Sequence, residues 1–178
     1  MTRRLVLVRH AKSAYPPGVL DHERPLAPRG VVDAKAAGAW LAANVGTPDH
    51  VVVSSARRAR GTWTLAAEAL GYIGAAGYDA ESPGPLTVDP RVYEASPQTL
   101  LDVVRKLPSR VATAVLVGHN PGCELLVDLL AGDRDPAAAE AIAGKYPTSG
   151  IAVLELDVDW AVLGPRAARL RAFAAPRG

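Results

Sequence analysis

The chain has 178 residues, 49% of them hydrophobic and 21% charged, with a net charge of +2. That length suits one domain burying about two-thirds of the surface of its unfolded chain and is too short for two, so residues 1–178 read as a single domain. The composition excludes a disordered polyelectrolyte, the charge is too small to signal nucleic acid by itself, and the single cysteine excludes an internal disulfide.

The first predicted element is a strand, Leu5-Val6-Leu7-Val8, running into Arg9-His10. Thr2-Arg3-Arg4 leads into it directly with no small-residue cleavage site, so it is not read as a signal peptide. No stretch reaches about 18 consecutive apolar residues, so no membrane span is expected and a cytoplasmic location is the default. The Pro- and charge-rich segment Tyr15 to Arg29 reads as an ordered loop over the strand ends. A helix is predicted from Pro28 to Asn44, with Val31, Val32, Ala36, Trp40 and Leu41 on its core face.

Val51-Val52-Val53 forms a second strand ending in Ser54-Ser55, followed by a helix from Ala56 to Leu70 that either serine would cap. Gly71 to Pro85 is glycine-rich and reads as a loop, and Leu86-Thr87-Val88 as a short strand. Ser96 caps a helix that Pro97 opens and that continues to Leu107. A third long strand, Ala114 to Val117, runs into Gly118-His119-Asn120-Pro121-Gly122. Asn120 is the expected N-cap of a helix from Pro121 to Leu130, where Cys123 is a small first-turn residue. Ala-rich Asp133 to Lys145 is predicted helical, and closing strands are expected over Ile151 to Asp157 and within Arg166 to Ala174.

Unbroken Val/Leu runs lacking alternating polar residues indicate strands buried on both faces, as in parallel sheets. With the interleaved helices they predict an α/β protein: a three-layer α/β/α sandwich around a mostly parallel central sheet. Ligands of such sheets bind at the carboxyl ends of the strands. Here those ends carry two histidines and several arginines, which suits a phosphoryl group. Arginine binds phosphate through a fork of donors, and histidine is a competent metal-free nucleophile whose neutral ring is available near pH 7. Of the adjacent Arg9 and His10, one can bind phosphate while the other attacks. His119, before a helix start, is placed to stabilise transition-state charge.

Other phosphoryl chemistries find no support. Cys123 has no arginine six residues on, as a cysteine phosphatase would require. Asp157-Val158-Asp159 imitates an aspartate-nucleophile motif, but only 19 residues follow Asp159, leaving no room for the acidic cluster that metal-dependent chemistry needs. It reads as a polar turn. No P-loop and no zinc-ligand spacing appear, so neither metal nor cofactor is expected.

Arg9-His10-Ala11-Lys12-Ser13 resembles the signature of the histidine phosphatase (phosphoglycerate mutase-like) superfamily, with Ala11 replacing the frequent glycine. Ser54-Ser55-Ala56-Arg57-Arg58-Ala59 with Thr62, and Val117-Gly118-His119-Asn120-Pro121, are similar to further motifs of that family. Asp21-His22-Glu23-Arg24-Pro25-Leu26-Ala27-Pro28-Arg29-Gly30 and the short chain resemble its SixA-like phosphohistidine phosphatase branch. The likeness covers about residues 4 to 157. It implies His10 as phosphorylated nucleophile, with Arg9, Arg58 and His119 completing the phosphate pocket and Arg57 peripheral. It further implies Arg24, Ser13 and Asn120 as substrate contacts, and Glu94 as proton donor with Asp21 as the alternative.

The expected activity is therefore metal-independent hydrolysis of a phosphohistidine-bearing protein or a small phosphomonoester through a phosphohistidine on His10. The absence of a large insertion after Thr62 argues for an open pocket. A phosphoglycerate mutase-type transfer would need walls that shield the intermediate from water. A non-catalytic phospho-ligand or RNA-binding module would use the same arginines, but aromatic residues make up only 5% of the chain, which disfavours base stacking. No nucleic-acid or membrane partner is expected.

Overall fold

A computed structural model describes residues 1–72 and 85–178. Seven strands form one mixed sheet: β1 (Arg3–Arg9), β2 (His50–Ser54), β3 (Leu86–Asp89), β4 (Thr113–Gly118), β5 (Ala131–Arg134), β6 (Ile151–Leu156) and β7 (Ala168–Ala174). Their order is β3-β2-β4-β1-β6-β7-β5. The left-hand four are mutually parallel. β6 runs antiparallel to β1 and to β7, and β5 pairs parallel with β7.

The long apolar runs are explained by position. β1 and β4 lie centrally, and every residue of β4 is buried. Alternate residues of β1 serve two separate cores. Leu5 and Leu7 pack with Leu116 and Leu154 beneath α3 (Pro97–Val104), α4 (Gly122–Leu130) and α5 (Pro136–Ile142). Val6 and Val8 pack with Val115, Val117 and Val153 beneath α1 (Pro28–Asn44) and α2 (Arg57–Leu70). One sheet with a helical layer on each face is the α/β sandwich that the interleaved pattern predicts.

Four local expectations are corrected. α1 spans Pro28–Asn44 and buries Leu41, with Trp40 packed against the core, as expected, but Val31 and Val32 are exposed and Ala34, Ala37 and Gly38 are buried instead. The helix packs through small residues because it crosses α2 closely; a Cβ on Gly38 would overlap the backbone of Ala66. Residues 131–134 form a strand ahead of the Ala-rich segment, whose helix is confined to Pro136–Ile142. Neither Ser54 nor Ser55 caps α2, whose N-cap is Ala56, and Asn120 does not cap α4, whose N-cap is Pro121. The side chains so released serve the site.

The remaining elements follow the sequence pattern. Ser96 accepts the Thr99 N–H as the N-cap of α3, which ends at Val104 rather than Leu107. Most of the expected Gly71 to Pro85 loop lies outside the described residues. Among those described, no helix is long and apolar enough to cross a membrane.

Candidate active site

In-register parallel pairing places the ends of β1, β4 and β2 side by side, with Arg9 opposite Gly118 and Val117 opposite Val53. The residues that follow therefore emerge together at one sheet edge. His10 and His119 lie with ring centroids 5.1 Å apart. Arg58, from the first turn of α2, reaches both: its Nε donates to His10 Nε2 at 3.3 Å and its Nη2 to His119 Nδ1 at 3.4 Å. His10, His119, Arg58 and Arg24 are only 8%, 7%, 5% and 9% exposed.

These contacts fix both ring tautomers. His10 Nδ1 lies 2.7 Å from the Ala11 carbonyl, which only accepts, so Nδ1 carries the hydrogen and Nε2 the lone pair. A guanidinium only donates, so His119 Nδ1 accepts and its Nε2–H donates to Ser54 Oγ at 2.7 Å. Burial, reinforced by nearby arginines, lowers the His10 pKa from its ordinary 6.5 to about 4. Burial, with His10 and Arg58 adding to it, lowers that of His119 to about 3. Both rings are neutral at pH 7.

The loop after β1 closes over this cluster. Asp21 binds both buried guanidiniums: its carboxylate accepts from Arg24 Nη1 at 2.7 Å and from Arg58 Nη2 at 3.0 Å, and its carbonyl accepts from Arg58 Nη1 at 2.6 Å. Tyr93 donates its hydroxyl to the same carboxylate at 2.7 Å and sets its ring edge-on to His119. The hydrogen bonds from Tyr93 and Arg24, together with the charge of Arg58, hold the Asp21 carboxyl far below the usual carboxylate range.

Each candidate residue has a defined place. Arg9 is anchored by Nη1 on the Tyr146 carbonyl at 2.7 Å, and its Nε is buried with no hydrogen-bond partner among the described residues. Ser13 is buried and accepts from Arg24 Nη2, so its hydroxyl orients that guanidinium. Asn120 donates its amide hydrogens to Glu124 and to the Tyr146 carbonyl, at 2.9 and 3.1 Å. Glu94 is exposed, adopts φ 50°, and lines a cleft of about 500 Å³ that also borders His119. Arg57 and Arg60 are exposed. Asp159 pairs with Arg3 at 2.6 Å, at the opposite end of β1 from His10, which removes the aspartate motif from the site.

Two further residues hold the site together: Tyr146, which carries no sequence signal of its own, and Thr62, which the sequence marks only as part of a motif. Tyr146 supplies the carbonyl that anchors both Arg9 and Asn120, and its hydroxyl donates to the Leu7 carbonyl at 2.6 Å. Thr62, fully buried, accepts the Ala11 N–H at 2.9 Å and donates to the Arg58 carbonyl at 2.7 Å. Three guanidiniums and one carboxylate around two neutral imidazoles make a net positive site, suited to a dianionic tetrahedral group.

The fold agrees with the comparisons to known proteins. The model of the histidine phosphatase superfamily (branch 1) matches residues 5–80. An uncharacterized protein of Mycobacterium tuberculosis is 42% identical over 172 residues, covering 96% of this chain and all of the relative. The chain belongs to the histidine phosphatase superfamily. Within it the fold is similar to a protein from Nakamurella multipartitia provisionally named phosphohistidine phosphatase SixA, with TM-score 0.80, 29% identity and coverage of 99% and 97% of the two chains. A protein from Agrobacterium tumefaciens with the same provisional name matches with TM-score 0.74, 27% identity and 98% coverage of each chain.

Proposed function

We propose that this protein is a phosphatase that hydrolyses a phosphohistidine or a small phosphomonoester through a covalent phosphohistidine on His10, without a metal. The observation that carries the reading is the state of the His10 ring. Nδ1 is held by the Ala11 carbonyl, and the lone pair on Nε2 faces the guanidinium of Arg58.

In the first step that lone pair attacks phosphorus, an N–P bond forms, and the bond to the leaving group breaks with its electron pair. In the second, water attacks phosphorus, the N–P bond breaks, and inorganic phosphate departs. Arg9, Arg58 and Arg24 offset charge on the transferring oxygens in both steps, and His119 orients against them. A phosphoramidate leaving nitrogen already carries a proton and needs no acid. For an oxygen-linked leaving group, Glu94 is the carboxyl at the cleft. Asp21, held ionised by Tyr93 and Arg24, has no proton to give.

The test is to incubate wild type and His10→Ala with a generic phosphomonoester and with a phosphohistidine peptide. An acid-labile, base-stable phosphoprotein is expected in wild type and not in the variant, with turnover lost alongside it. Equal turnover by His10→Ala would remove His10 from the mechanism.

A further inference from the structure

A cleft adjoins the phosphate cluster through His119 and Asn120 and extends away from the arginines. Its walls are formed by Ala95, Pro97, Pro121 and Leu125, and Glu94 is the one charged side chain among the described residues that line it. His119, the other ionisable group there, is neutral. Leu125 is 45% exposed, an apolar side chain open to the cleft. At about 500 Å³ the cleft falls in the range that takes organic ligands well beyond a three-carbon acid.

Glu94 is held there by an unusual backbone. Its φ of 50° belongs to the left-handed region that non-glycine residues seldom occupy. The next residue presses against α4, where a Cβ on Gly122 would overlap the Ala95 carbonyl. Strain of this kind persists where surrounding structure enforces it, and it collects at ligand sites.

We infer that this cleft receives the leaving group and selects an apolar body that is neutral or positively charged, with Glu94 as the residue that rejects acidic leaving groups. The inference rests on the phosphatase reading for the phosphoryl half of the substrate. The phosphoryl charge is met by the arginines, but beyond it a substrate finds mainly hydrocarbon, the uncharged Ser96 and Asn120, and one carboxylate. A phosphorylated hydroxy acid would bring a second anion to that carboxylate with no cation in the cleft to offset it. An amine or a protonated ring nitrogen would meet the opposite charge.

A proton donor acts on every ester alike, whereas a charge filter acts according to the tail. Three aryl phosphates separate the two: O-phosphotyramine, 4-(carboxymethyl)phenyl phosphate and neutral 4-ethylphenyl phosphate, which share a phenol leaving group. In wild type, kcat/KM for the cationic ester should exceed that for the anionic one about tenfold. The ratio should approach one in Glu94→Gln and invert in Leu125→Lys, where the half-exposed side chain tolerates replacement. A wild-type ratio of one or less, or a ratio that neither substitution moves, overturns the inference. So does an equal loss on all three esters in Glu94→Gln with the ratio kept. Calorimetric binding of the same pair distinguishes the two readings: the tenfold preference without any turnover would refute the phosphatase and leave the cleft assignment standing.

Discussion

Arg58 Nε lies 3.3 Å from His10 Nε2, so a fixed positive charge sits against the one ring atom that carries a lone pair and donates a long hydrogen bond to it. This contact cannot strengthen a base; it disfavours protonation and keeps the ring neutral, the form the proposed nucleophilic role of His10 requires. Arg58→Lys removes the fork that spans His10, His119 and Asp21 while retaining a cation. A fall in kcat/KM of about 10²-fold or more is expected, of the size seen when one transition-state donor is lost. Steady-state kinetics with an unchanged circular dichroism spectrum would check it.

The two site histidines should titrate far from the ordinary value. Burial, then the surrounding positive charge, places His10 at about 4 and His119 at about 3. NMR titration should show both rings neutral at pH 5, and Arg58→Gln should move both pKa values upward. The unfolded chain, with histidines near 6.5, binds more protons than the native state between these values and 6.5. Stability contributed by the neutral rings is therefore complete above about pH 6.5 and declines as pH falls toward 3. Denaturant midpoints measured at pH 7 and pH 5 should differ in that direction.

Asp21 occupies guanidinium donors of Arg24 and Arg58 that the proposed mechanism assigns to an incoming phosphoryl group. Asp21→Asn removes that internal anion, so inorganic phosphate should bind more tightly, by about fivefold on the scale of a screened charge pair. The inhibition constant for phosphate reads this directly, and weaker inhibition in the variant would contradict it.

Gly122 sits where any Cβ would overlap the Ala95 carbonyl. Gly122→Ala should cost about 1–3 kcal/mol, as overpacking does, and displace the segment carrying Tyr93 and Glu94. Thermal denaturation gives the first effect and a drop in kcat/KM the second.

Much of this site was legible because the chemistry-bearing residues directly follow apolar strands. Val8 before Arg9-His10 and Val117 before Gly118-His119 mark where the backbone leaves the sheet, and parallel pairing does the rest. What failed had no such marker. Ala131–Arg134 contains glycine and two charged residues, so an edge strand stabilised by pairing with β7 carries no apolar pattern. Val31 and Val32 attract a core assignment by hydrophobicity, yet close helix crossing favours Ala34, Ala37 and Gly38. Asn120 and Ser54 have the chemistry of helix caps, but Tyr146 and Glu124, and His119, engage them instead. Such competition between local and distant partners is decided in three dimensions. Tyr146 contributes through its backbone carbonyl, which no side-chain pattern reveals.

Thr62 joins the backbone after His10 to the backbone of Arg58 through a single oxygen atom. The His10 ring and the Arg58 guanidinium are thereby indexed to one another before any ligand arrives. A site built this way has little to assemble on binding, so the proposed chemistry would not wait on large motions of the chain. Thr62→Val, nearly the same in shape, would leave the fold recognisable but unpin that alignment, so kcat should suffer more than KM.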